Sequence, residues 1–159
     1  VEVWLTGDAV DAGILTEHWD GSTRRTVATV SPANAWAVGW ATAADESGEF
    51  TGLLDHWDGA MWKAVPLPAG APVAVLHAVT AVSAHDVWAV GFDAGDQPVL
   101  LRYDGARWKQ LPQPSIDGLY GELNAVTAEG AGDVWVVGRV VNSRARRYPA
   151  IGGRASRSR

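Results

Sequence analysis

The residues of this chain that could move a proton near neutral pH stand in one recurring pattern. His56 sits beside Asp55 and two residues before Asp58, in His56-Trp57-Asp58-Gly59. Imidazole next to carboxylate is the ordinary pairing for general acid–base work. The same string occurs as His18-Trp19-Asp20-Gly21, and without its His as Tyr103-Asp104-Gly105. A catalytic centre is normally singular, so repetition in successive copies argues against one. An Asp before Gly is instead the signature of a tight turn, where the carboxylate accepts backbone N–H groups. His77 and His85 are eight residues apart, and no third ligand has fitting spacing for zinc. Ser83-Ala84-His85-Asp86 holds the residue types of a triad, but neighbours in one turn do not reach nucleophile–base geometry. There is no phosphate-cradling glycine loop leading into a helix. There is also no Cys, hence no thiolate ligand and no disulfide framework. The expectation is no catalytic residue, no metal site and no cofactor.

Nine Trp residues are the other resource for chemistry, since indole faces stack on sugar rings. Three of them share one setting: Asn34-Ala35-Trp36-Ala37-Val38-Gly39, Asp86-Val87-Trp88-Ala89-Val90-Gly91 and Asp133-Val134-Trp135-Val136-Val137-Gly138, with a worn copy in Glu2-Val3-Trp4-Leu5-Thr6-Gly7. Mid-strand in an apolar run, a large ring is better placed for core packing than for a ligand. The residue just past each Gly differs between copies: Trp40, Phe92 and Arg139.

Two motifs alternating every forty-odd residues mean stacked copies of one supersecondary unit. In the best copy, residues 76–82 alternate as a strand does, 83–86 turn, and 87–92 form a second strand rich in β-branched and aromatic residues. A polar loop leads to Pro98 and a third strand at 99–103. After the Asp104-Gly105 hairpin a fourth strand at 107–111 ends at Pro112 and Pro114, which cannot continue a ladder. Residues 22–68 repeat the scheme, and Leu123-Asn124-Ala125-Val126-Thr127 echoes Leu76-His77-Ala78-Val79-Thr80. From Trp57 to Trp88 is 31 residues and from Tyr103 to Trp135 is 32, but from Trp19 to Trp36 only 17. Either the first unit lacks its fourth strand or residues 23–30 serve two roles.

Along each Trp strand, alternate side chains are apolar in both directions, so both faces of every sheet need a neighbour. Radial stacking of four-stranded antiparallel meanders meets that need and protects most edges. The expected fold is all-β, a partial or open β-propeller. Its divisions are a partial blade at 1–21, complete blades at 22–68 and 69–114, a partial blade at 115–151 and a disordered Arg-rich tail at 152–159.

The pattern Asp-Val-Trp-Ala-Val-Gly, a variable loop, then His/Tyr-(Trp)-Asp-Gly-x-x-Trp resembles the Trp-rich repeat of bacterial, often secreted, β-propeller proteins. These are loosely similar to kelch and galactose-oxidase-type propellers. The resemblance covers residues 1–151 and implies an extracellular setting. The ends Asp58-Gly59-Ala60-Met61-Trp62 and Asp104-Gly105-Ala106-Arg107-Trp108 are a poor match to the Asp-box of sialidase-like propellers, because Asp and Gly are adjacent and the leading Ser is absent.

In an up-and-down meander the second-to-third-strand loops and the inter-blade loops emerge at one end. That end gathers Trp40, Phe92 and Tyr120 with Asp93 and Asp96, as well as Asp45, Glu46, Glu49, Asp117 and Glu122. Aromatics beside carboxylates suit sugars or a cationic partner, and a solvated acidic loop surface is the plain alternative. Residues 1–138 hold all 18 acids and six of the 13 bases, the other seven being Arg in the last 21 residues. An acidic body speaks against nucleic acid, and no apolar run reaches the roughly 18 residues that span a bilayer. The functional expectation is a non-catalytic module that binds a protein or ligand, a fragment of a longer protein, with self-association through open blade edges. Rival readings are a carbohydrate-binding propeller and a fragment of a propeller glycoside hydrolase or lyase.

Overall fold

The computed structural model describes residues 16–19, 23–42, 49–71, 73–113, 119–130 and 132–142, with side chains described from residue 25 onward except at 119, 120, 141 and 142. The worn copy at 2–7, the loop acids Asp45, Glu46 and Asp117, and the tail at 152–159 lie outside the described residues. Within the described residues the chain is all-β, with eleven strands and no helix.

β1 (Thr16–Trp19), β2 (Thr23–Ser31), β3 (Asn34–Thr42), β4 (Phe50–Trp57) and β5 (Trp62–Ala64) form one sheet in sequence order. β6 (Val73–Ser83), β7 (Asp86–Asp93), β8 (Pro98–Tyr103) and β9 (Trp108–Gln110) form a second, and β10 (Leu119–Gly130) pairs with β11 (Asp133–Asn142) in a third. Every pairing is antiparallel between neighbours in sequence. The second sheet is the four-stranded meander that alternation and turn residues predict. The first carries five strands, because β1 adds to its edge: His18 lies opposite Arg25 and Trp19 opposite Arg24. β2 thus takes β1 on one edge and β3 on the other, which accounts for the short interval between Trp19 and Trp36. β6 begins three residues before the predicted strand and carries register shifts at Val73/Val75, Leu76/Ala78 and Ala81/Ser83. Such bulges lengthen and bend a strand beyond what strict alternation reveals.

The sheets pack face to face in a constant sense. Trp36 and Val38 on β3, with Ala28 from β2 and Leu54 from β4, form one core with Val87 and Ala89 on β7, Val99 and Leu101 on β8 and Trp108 on β9. Register confirms the facing: Ala28 lies opposite Trp36, and Leu54 opposite Val38. A hydrogen bond of 3.0 Å from the Thr26 hydroxyl to the His77 carbonyl ties the two sheets together. On the other side of the second sheet Trp88 and Val90 are buried as well, and β10 lies against β6, β7 and β8. β2, β3 and β4 thus lie against β6 as β6, β7 and β8 lie against β10. At β11, the last described strand, Trp135 is 66% exposed and Val137 63%.

The Gly that follows the Trp motif in β7 and in β11 has a steric cause. A Cβ on Gly91 would overlap the Val75 carbonyl oxygen, and one on Gly138 would overlap that of Glu122. In both copies the first strand of the sheet bulges beside this glycine, bringing its backbone too close for any side chain. Gly130, by contrast, faces open space. Gly91→Ala is expected to cost about 2–3 kcal/mol by overpacking, and Gly130→Ala no more than about 0.5 kcal/mol. Urea unfolding of the two variants compares them directly, and equal midpoints would refute the steric account.

Candidate functional site

The repeated Asp-Gly turns are built alike. Asp58 Oδ1 accepts the N–H groups of Ala60 (2.9 Å) and Met61 (3.0 Å), while its Oδ2 pairs with Lys63 Nζ at 2.5 Å. Asp104 does the same with Ala106 and Arg107, both at 3.0 Å, and with Lys109 at 2.5 Å. The Lys hydrogen bond, followed by the two backbone N–H groups, holds each carboxyl far below the usual carboxylate range. The next residue has positive φ, +95° at Gly59 and +90° at Gly105, where a side chain would be strained. Space is short there too: a Cβ on Gly59 would come 3.0 Å from the Ala33 Cβ, and one on Gly105 2.6 Å from the His85 ring. Each Asp-Gly turn rests on the tip of the preceding hairpin.

The groups that raised an acid–base reading go to three different partners. Asp55 pairs with Arg25 at 3.2 Å and Asp58 with Lys63, while His56 Nε2 lies 3.0 Å from Asn34 Oδ1. The His56 ring also packs against Trp36, with centroids 4.4 Å apart. In the next copy Arg102 takes the place of His56. Its Nε donates to Asp86 Oδ1 at 2.8 Å, and its guanidinium lies 4.9 Å from the Trp88 ring centroid, within cation–π range. The first residue of the Trp strand therefore holds a donor at the end of the third strand, which in turn covers the Trp. Asn serves a His and Asp serves an Arg. The triad types in the β6–β7 turn also disperse. The Ser83 hydroxyl oxygen accepts the His85 backbone N–H at 3.2 Å, and Asp86 belongs to Arg102.

Of the repeated Trp residues, Trp36 is 3% exposed and Trp88 7%. Trp36 packs on Tyr103 and Trp108 of the second sheet at 4.8 and 5.2 Å. The indole N–H groups of Trp36, Trp88 and Trp108 are buried with no acceptor among the described residues, so these rings act as apolar bulk.

The loop end is less uniform. Trp40 meets Phe50 edge-on at 5.0 Å, and Phe50 is 45% exposed. Phe92 packs on the His77 ring at 5.6 Å. Asp93 and Asp96 frame the β7–β8 turn. Asp93 Oδ1 accepts the N–H groups of Gly95 (2.7 Å) and Gln97 (3.0 Å), and Asp96 takes a left-handed φ of 57°. The Gly121 N–H donates to the Asp96 carbonyl at 2.8 Å, which brings this turn against β10 next to Tyr120. Tyr120 is paired through its backbone with Val141, and its side chain lies outside the described residues. Phe92, Asp93 and Asp96 thus share one turn beside the Tyr120 backbone, while Trp40 stands on the first sheet with Phe50.

Sequence reasoning passed over Glu122 as an organiser. It accepts hydrogen bonds from Asn124 (3.1 Å) and Arg139 (2.7 Å) and lies 4.0 Å from His77 across the seam. Burial pushes its carboxyl up, but those donors and the Arg139 charge prevail and leave it below its ordinary value. The difference at Arg139 between copies was the only signal of this cluster. A shallow groove of about 450 Å³ lies beside the β7–β8 turn, lined by Asp93, three glutamines (Gln97, Gln110 and Gln113), Pro98, Leu111 and Pro112. Amides and proline rings can hold a neutral polar ligand. Among the described residues no cluster of three or more His, Asp or Glu side chains is placed to hold a metal.

Comparison with protein families, curated proteins and solved structures yields no significant match.

Trp36→Ala is expected to cost about 3–5 kcal/mol, the range for truncating a buried aromatic, whereas Trp135→Ala should change stability by no more than about 0.5 kcal/mol. Chemical denaturation measures both, and similar losses would mean that the two faces are not inequivalent. A second expectation concerns acid. Folding depresses the Asp58 and Asp104 pKa values, so their contribution is complete above the unfolded carboxylate pKa of about 3.9. It is lost as pH falls below that value towards the folded pKa. Asp104→Asn should therefore make the fall of Tm below about pH 4 shallower, while Asp104→Ala should also lower Tm at pH 7 by leaving two N–H groups without their acceptor. An unchanged acid limb in Asp104→Asn would refute the assignment.

Proposed function

We propose that this chain is a sector of a β-propeller of the Trp-rich, kelch-like kind and works as a non-catalytic binding module at its loop end. The observation that carries this reading is the sense of the packing: the first sheet lies on β6 and the second on β10, with Trp36 and Trp88 buried in turn. A heterologous stack of twisted sheets does not terminate by itself and closes most economically in a ring of blades. The side chains of Asp58 and Asp104 support the absence of catalysis, because each has the same kind of Lys partner, and His56 is held by Asn34. By resemblance the module belongs outside the cell.

A carbohydrate ligand is the second reading, favoured by the Trp40–Phe50 pair, whose Phe ring is 45% exposed at the loop end. Indole and phenyl faces beside polar loop groups are what sugar rings stack on. Both readings are tested by one screen against a glycan library with product analysis. Binding without turnover is expected, weakened at least about tenfold (1.4 kcal/mol) by Trp40→Ala if sugars are the ligand. Unchanged glycan binding in that variant would remove the carbohydrate reading. Turnover abolished by replacing a single carboxylate would overturn the module reading in favour of a hydrolase or lyase.

A further inference from the structure

We infer that the outer edge of β11 is a docking site for an extended strand of the form Leu-x-Arg/His-aromatic, added antiparallel to Asp133–Asn142. The inference goes beyond the propeller reading, since strand addition at this edge does not require a closed ring.

In two copies that position is filled. β3 lies between β2 and β4, and β7 between β6 and β8. β4 and β8 are held by one set of contacts. His56 lies opposite Trp36, and Arg102 opposite Trp88. The cationic or imidazole group packs on the indole, at 4.4 Å in one copy and 4.9 Å in the other. It also bonds to the residue that opens the Trp strand, Asn34 at 3.0 Å and Asp86 at 2.8 Å. Two residues earlier a Leu stands opposite the Val of the motif: Leu54 against Val38, and Leu100 against Val90.

β11 carries the same three receptor groups in the same spacing, Asp133, Trp135 and Val137. Among the described residues its only ladder partner is β10. Trp135 is 66% exposed and Val137 63%, against 7% and 0% for Trp88 and Val90. Asp133 is exposed and its carboxylate has no hydrogen bond or ion pair among the described residues, whereas Asp86 is buried with Arg102. An open edge supplies a row of backbone donors and acceptors, and alternate side-chain positions supply the selectivity. Here the selectivity is Leu on Val137, then Arg or His on Trp135 with its charge at Asp133.

The probe is a synthetic, fluorescein-labelled peptide with the sequence of residues 97–110, titrated into the full chain and read by fluorescence anisotropy. Saturable binding with a micromolar Kd is expected, together with slowed amide exchange along β11. The same peptide with Arg102→Glu, or the chain with Asp133→Lys, should bind at least about tenfold more weakly, and a charge-reversed pair of the two should recover affinity. Both receptor positions are exposed, so circular dichroism of the chain variant should match the parent. No saturable binding up to about 1 mM, equal binding of the Arg102→Glu peptide, or protection outside β11 would each overturn the proposal.

Discussion

The structure depends on the burial of an indole ring from one sheet in the seam it forms with the next. Trp36 is the fully formed instance, buried in one core with Val87 and Ala89 and packed on the Tyr103 and Trp108 rings. Each sheet of this chain is apolar on both sides, because Trp and Val alternate with Ala and Val along its second strand. A sheet with two such faces is not stable alone in water, and burying a ring of this size on a neighbour is worth on the order of a few kcal/mol. The requirement passes from sheet to sheet, and among the described residues it stays unmet at β11, where Trp135 is 66% exposed.

The polar residues of the repeat serve that contact. Asp58 and Asp104 close the β4–β5 and β8–β9 hairpins so that the short last strand can present Trp62 or Trp108. Asn34 and Asp86 fix the third strand where its His or Arg covers the Trp. Gly91 and Gly138 let the bulged strand beside the Trp strand approach it closely within the same sheet. Motifs that look like catalytic fragments one at a time thus become the joints of a repeated packing unit. The residue after the glycine varies as well, and Trp40, Phe92 and Arg139 each find a different partner, Phe50, His77 and Glu122.

Much of this was legible in the residues. Strand alternation, Asp-Gly turns and terminal prolines located β3, β4, β7, β8 and β9 to within a few residues. The structural duty of the repeated Asp followed from its recurrence. Bulges were not legible, because a register shift leaves no signature in a pattern of period two, and so β6 and β10 run longer than alternation indicates. The double role of β2 was left open by the spacing between Trp19 and Trp36. The Glu122 cluster was hidden as well, since His77, Glu122 and Arg139 come together only through bulged strands of two sheets.

By itself the sequence determined the unit: an antiparallel meander of Trp, turn and glycine, repeated, with small and large side chains alternating so that neither face can remain in water. It did so because turn chemistry and strand period are local properties of a few adjacent residues. Only the tertiary structure decided which face meets which, that the first sheet takes a fifth strand, and that the third Trp stands exposed on a strand whose one ladder partner among the described residues is β10. Those outcomes depend on how twisted sheets nest and on which strand is present to cover the next, and no short window of residues carries that information.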